Sequence, residues 1–177
     1  MKARRQFLIN ASATAIGFAG LRSFSAFADQ KESQAIAGYG DLQSDPEDVI
    51  DLPKGFSYRI IGRAGEKMDD GLTLPGAPDG MATFKGQNGH TLLLRNHEIN
   101  AGSGAKSGAF GSGNKNLTDE LRKSMYDSGK TAPSLGGTST VVYDTKKQKV
   151  VRQFLSLAGT LRNCAGGPTP WDSWVTC

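Results

Sequence analysis

Turn-forming residues set the tightest limit on what this chain can fold into. It holds 23 Gly and 7 Pro among 177 residues. They cluster at Leu52-Pro53-Lys54-Gly55, Pro75-Gly76, Gly86-Gln87-Asn88-Gly89 and Pro133 to Gly137. Glycine admits left-handed backbone and proline fixes φ, so such clusters are turns. The segments between them are short and mostly alternate apolar with polar residues, the period of a half-buried strand.

Read this way, Phe56-Ser57-Tyr58-Arg59-Ile60-Ile61 is the first strand. Met81–Phe84 and Thr91–Glu98 form a hairpin across the Gly86–Gly89 turn. Thr138–Tyr143 and Lys149–Leu157 form a second hairpin, joined by Asp144-Thr145-Lys146-Lys147-Gln148, and Trp174–Cys177 is a last strand. One short helix is expected over Leu117–Asp127, with Thr118 as N-cap and Asp119 and Glu120 in its first turn. Residues Asn100–Asn116, rich in Gly, Ser, Ala and Lys, predict a long surface loop of the kind that often carries function. The fold class is all-β, hairpins in series, which fits a sandwich, a barrel or propeller blades. A few strands with open edges make a poor independent sheet. The chain also stops as the strand Trp174-Val175-Thr176 is under way. We therefore expect an incomplete piece of a larger β fold.

The N-terminus reads as an export signal. Arg4-Arg5-Gln6-Phe7-Leu8 matches the twin-arginine pattern, a mildly apolar stretch runs from Ala11 to Leu21, and Ala26-Phe27-Ala28 offers a signal-peptidase site before Asp29. The stretch contains Ser12, Thr14, Gly17 and Gly20 and is too short and weak for a stable membrane anchor. Residues 1–28 are thus expected to be a twin-arginine signal peptide. The translocase that reads it is the export partner, and a periplasmic or secreted location follows. Residues 29–55 read as a polar, extended lead-in, and 56–177 as the β domain.

The formal charge of +4 and the pI near 9.1 point towards nucleic acid only until the leader is set aside. Of the 21 basic residues, Lys2, Arg4, Arg5 and Arg22 lie in it with no acid beside them, which leaves 17 basic against 17 acidic residues in the remainder. No excess of cations remains to drive binding to a polyanion, so no nucleic-acid partner is expected.

Several blocks carry a resemblance. Leu52-Pro53-Lys54-Gly55-Phe56-Ser57-Tyr58-Arg59, Pro78-Asp79-Gly80-Met81-Ala82, Arg95-Asn96-His97-Glu98 and Gly136-Gly137-Thr138-Ser139-Thr140 resemble successive blocks of the PhoX family of alkaline phosphatases. So do Ser156 to Trp171, with Arg162-Asn163-Cys164-Ala165-Gly166-Gly167 at their centre, and Trp174-Val175-Thr176-Cys177. They fall in the family's order over about residues 49–177, and the leader also fits. The resemblance implies a propeller-like fold and a calcium-dependent phosphatase with iron and calcium at its centre, hydrolysing phosphate monoesters outside the cytoplasm. It also implies a longer protein, with most metal-binding carboxylates downstream of Cys177. This chain is then an N-terminal fragment expected to be inactive by itself. The alternatives are a non-catalytic exported module that binds calcium or a partner, and a different metallohydrolase on a similar propeller.

What the resemblance implies for the site is that Cys177 is similar to an iron ligand. A thiolate is a soft, strong donor, and a ferric ion keeps it deprotonated at neutral pH. By spacing alone Cys164 and Cys177, the only two cysteines, are equally readable as a disulfide in an oxidising compartment, with Cys164 otherwise a buried thiol. Glu98 suits calcium, a hard cation that takes carboxylate oxygen, and is equally readable as a structural residue. His97 is readable as a ligand or as a hydrogen-bonded structural residue. Asp79, within Pro-Asp-Gly, is readable as a ligand or a turn former. Arg162 and Arg95 each offer a guanidinium that can grip phosphate oxygens, and each is equally readable as a salt-bridged strand residue. The run Ser124–Thr131 lacks the first glycine and the preceding strand of a P-loop. No Gly-x-Ser-x-Gly elbow is present.

Overall fold

The structure, a computed structural model, describes residues 38–177. The expected signal peptide and the first part of the expected lead-in therefore lie outside the described residues. The chain divides into two compact units, one ending at Arg59 and the other comprising Ile60–Cys177.

In the first unit, β1 (Leu42–Gln43) pairs antiparallel with β2 (Leu52–Pro53). Asp45 organises the turn between them: its carboxylate accepts from the amides of Glu47, Val49 and Ile50 and from the Tyr58 hydroxyl at 2.7 Å. Those bonds, the Tyr58 hydroxyl foremost, hold the Asp45 carboxyl down to a pKa of about 2. Phe56 closes this small unit edge-to-face on Tyr39 at 5.4 Å. The expected strand over Phe56–Ile61 does not form. Phe56, Tyr58 and Ile60 are all exposed, and among the described residues no strand pairs with this segment, so alternation alone does not make it a strand.

The second unit is built on a four-stranded antiparallel sheet in the order β3-β4-β5-β6. Here β3 is Pro78–Lys85, β4 Thr91–His97, β5 Gly136–Asp144 and β6 Lys149–Thr160. Sequential neighbours pair throughout, so both predicted hairpins are present and join into one meander, the topology of a propeller blade. Among the described residues no sheet closes into a barrel. The first hairpin turns through Gln87–Gly89, where Asn88 and Gly89 take left-handed φ of 55° and 76°, as that turn chemistry predicts. Beyond the blade, β7 (Gly166–Pro168) and β8 (Trp174–Thr176) form a two-stranded ribbon.

Gly136 and Gly137 in β5 answer a close approach. The pairing with β6 slips register between them, and a methyl group at Gly137 would collide with the carbonyl oxygen of Leu157. Two glycines here are a packing requirement, not a turn.

Connecting segments cover the sheet. Met68, Leu72, Leu74, Ala109 and Phe110 form the buried core, with Leu117, Leu121, Met125, Leu135, Leu155 and Ala158 packed on it. The short helix α1 (Asp119–Ser124) lies within the predicted span, and Thr118 Oγ1 accepts from the Leu121 amide at 3.2 Å. The expected surface loop at 100–116 is more ordered than its composition implies. It makes two 3₁₀ turns and buries Phe110 and Ala109 in the core, because a bulky apolar residue among small ones has nowhere else to dehydrate.

Candidate functional site

The run Arg95-Asn96-His97-Glu98 places polar residues at the end of β4, immediately after Leu92-Leu93-Leu94. Strand alternation sends Arg95 and His97 to one face of the sheet and Asn96 to the other. None of these three keeps solvent: Arg95 is 7% exposed, and Asn96 and His97 are 0%. Each is therefore obliged to find partners within the protein.

On the first face Ser139, opposite Arg95 on β5, joins both side chains. His97 Nδ1 lies 2.9 Å from the Gly76 carbonyl oxygen, which only accepts, so Nδ1 carries the proton. Burial, foremost, drives the His97 pKa down from 6.5 to about 4. The Gly76 bond opposes this and the Arg95 charge adds to it. The ring is thus neutral near pH 7, and its Nε2 accepts from the Ser139 hydroxyl at 2.8 Å. Arg95 Nε and Nη2 donate to the same hydroxyl oxygen at 3.3 and 3.2 Å. Burial lowers the pKa of the Arg95 guanidinium as well.

On the opposite face Asn96 clasps the ribbon β7–β8 to β4. Its Nδ2 donates to the Ala165 carbonyl oxygen at 2.9 Å, and its Oδ1 accepts from Trp174 Nε1 and Thr176 Oγ1, each at 3.0 Å. Asn163, also buried, donates from Nδ2 to the Thr176 hydroxyl at 2.9 Å. This network brings the Cys164 and Cys177 backbones together. The Cys164 amide donates to the Cys177 carbonyl oxygen at 2.9 Å, and the Cys177 amide to that of Ala165 at 3.1 Å.

Glu98 and Arg162 meet directly, Nε to Oε1 at 4.0 Å, and the Arg162 amide donates to the Ile99 carbonyl oxygen. Both cysteines are free and exposed. The expected buried thiol at Cys164 is not found: its peptide groups are used, to Gly80 and Cys177, while its side chain faces out. Asp79 is not a turn residue but an exposed member of β3 beside a bulge. His97 is the hydrogen-bonded structural residue described above. Asn96, Ser139 and Asn163 are the polar residues that sequence reasoning did not single out. For Asn96 the signal is a polar run continuing a strand without a turn residue; Ser139 and Asn163 carry no such local signal.

Calcium or iron needs at least three or four donors around one point. Among the described residues no group of three or more His, Cys, Asp or Glu could hold a metal, and the Glu98 carboxylate already faces the Arg162 guanidinium. Residues 38–177 alone do not fit either metal.

The blade-like meander, the ribbon clasped to it and the polar blocks at their junction define an all-β protein with an incomplete, propeller-like architecture. The family model described as alkaline phosphatase PhoX matches residues 37–177, and the chain belongs to that family. No curated protein and no solved structure matches it at a significant level.

Proposed function

We propose that this chain is the N-terminal part of an exported, metal-dependent alkaline phosphatase that transfers the phosphoryl group of phosphate monoesters to water. The family match over residues 37–177 carries this reading. Hydrolysis breaks the bond from phosphorus to the ester oxygen and forms one to a water oxygen, with a proton passing to the departing alcohol. Calcium and iron are the metals proposed, with Cys177 and Glu98 among their donors and Arg162 on the substrate phosphate. The remaining donors then come from chain outside these 177 residues. Export by the twin-arginine route, through Arg4, Arg5, Phe7 and Leu8 with cleavage after Ala28, places the enzyme in the periplasm or outside the cell.

The test assays the intact gene product and the 177-residue chain in parallel on p-nitrophenyl phosphate, phosphodiesters and lactones, with calcium and iron supplied. The expected result is monoester turnover by the intact protein alone, lost with its iron in Cys177→Ser. Turnover of lactones or diesters without monoesters overturns the reading in favour of another propeller metallohydrolase.

The alternative is a non-catalytic exported module that binds calcium or a partner. Cooperative unfolding of the chain, with no monoester turnover by the intact protein, supports it.

A further inference from the structure

We infer that a cleft between the 65–73 and 106–116 segments is a binding site for a multiply charged oxyanion, such as a ligand bearing two or more linked phosphoryl groups. The cleft of about 570 Å³ is lined by Lys67, Lys106, Lys115, Thr73, Ser112 and Asn116, with glycines between them. No acidic residue lines it, and none of the three lysines has an ion-pair partner among the described residues. The site does not depend on the phosphatase reading.

The nearby acids are committed elsewhere. The Glu66 carboxylate accepts from the Arg63 amide at 2.9 Å, Asp69 from the Gln153 amide at 2.7 Å, and Asp70 from the amides of Leu72 and Leu155. Carboxylates one to three residues from Lys67 are thus taken up as backbone acceptors. Three lysines thus line the cleft with no carboxylate among its lining residues.

The walls are fixed in advance. Lys67 and Thr73 face each other across an isolated antiparallel bridge, so their side chains share a face. The Thr73 amide donates to the Ala109 carbonyl oxygen at 2.8 Å, and the Asn116 amide to that of Phe110 at 3.0 Å. Both accepting residues are anchored in the core. Gly111 keeps the floor open: it has φ 74°, and a methyl group there would stand 3.1 Å from Asn116 Nδ2. A preformed cleft saves the ligand the cost of ordering loops. The volume is that of a small-molecule site and exceeds what one phosphate fills. Lysine is a point-charge donor for phosphoryl oxygens, and three of them match two or more anionic groups.

Calorimetric titration of the full chain with methylenebisphosphonate, which cannot be hydrolysed, and with inorganic phosphate tests this. The bisphosphonate is expected to bind at one site, at least tenfold tighter than phosphate and more weakly as salt rises. The combined Lys67→Gln, Lys106→Gln and Lys115→Gln variant should lose at least tenfold in affinity. A control with Lys123→Gln, Lys130→Gln and Lys149→Gln, which removes the same charge elsewhere, should lose less than twofold. Gly111→Ala, which leaves every charge in place, should also weaken binding. Equal losses in the two triple variants, or no saturable binding, overturn the inference.

Discussion

The stability of the blade should fall as pH drops from about 6.5 to about 4, and His97 is the cause. In the folded state burial holds its pKa near 4, whereas in the unfolded chain it returns to about 6.5. Across that window the unfolded chain binds a proton that the folded chain refuses, so acid favours unfolding. Linkage gives about 2 kcal/mol lost at pH 5 and about 3 kcal/mol once pH is below both values. The carboxyls held low, Asp45 near 2 and Asp144 below its ordinary value through its bonds to the Lys147 amide, lose their stabilising charge at still lower pH. The window above pH 4 therefore belongs to His97. Urea unfolding of the full chain at intervals from pH 7.5 to 4.5 measures the effect. His97→Gln should be less stable at pH 7.5 yet nearly flat between pH 7 and 5. A wild-type stability unchanged at pH 5, or the full drop persisting in His97→Gln, would refute the assignment.

Other outcomes follow from the same contacts. Asn96→Ala strands the Trp174 indole N–H, the Thr176 hydroxyl and the Ala165 carbonyl. We expect a loss of about 2–4 kcal/mol, with hydrogen exchange accelerating at Gly166–Thr176 before β4–β5. Gly137→Ala drives a methyl into the Leu157 carbonyl oxygen. It should cost about 1–3 kcal/mol in thermal unfolding, whereas Ala at Gly104, where nothing lies within 4 Å, should cost little. Thr118→Ala removes the α1 cap and should lower stability by about 1 kcal/mol.

The local elements are legible from residue order alone. Period-two runs bounded by turn clusters located both hairpins, Asn88-Gly89 marked the first of their turns, and Thr118 with two acids marked the helix start. These signals are legible because each acts within a few residues. The blocks from Leu52 to Cys177 also sufficed for the family. Which side chains are partners, and which segments find a neighbour, depends on packing between distant parts of the chain. Phe56–Ile61 alternates as a strand should, yet a strand exists only where another backbone takes up its hydrogen bonds. Gly136-Gly137 reads as a turn until β6 is seen pressed against it. Nothing local joins Asn96 to Trp174, or His97 to both Gly76 and Ser139. Those bonds arise because folding strips water from polar groups far apart in the chain and leaves each with the partner that the packed sheet brings within reach.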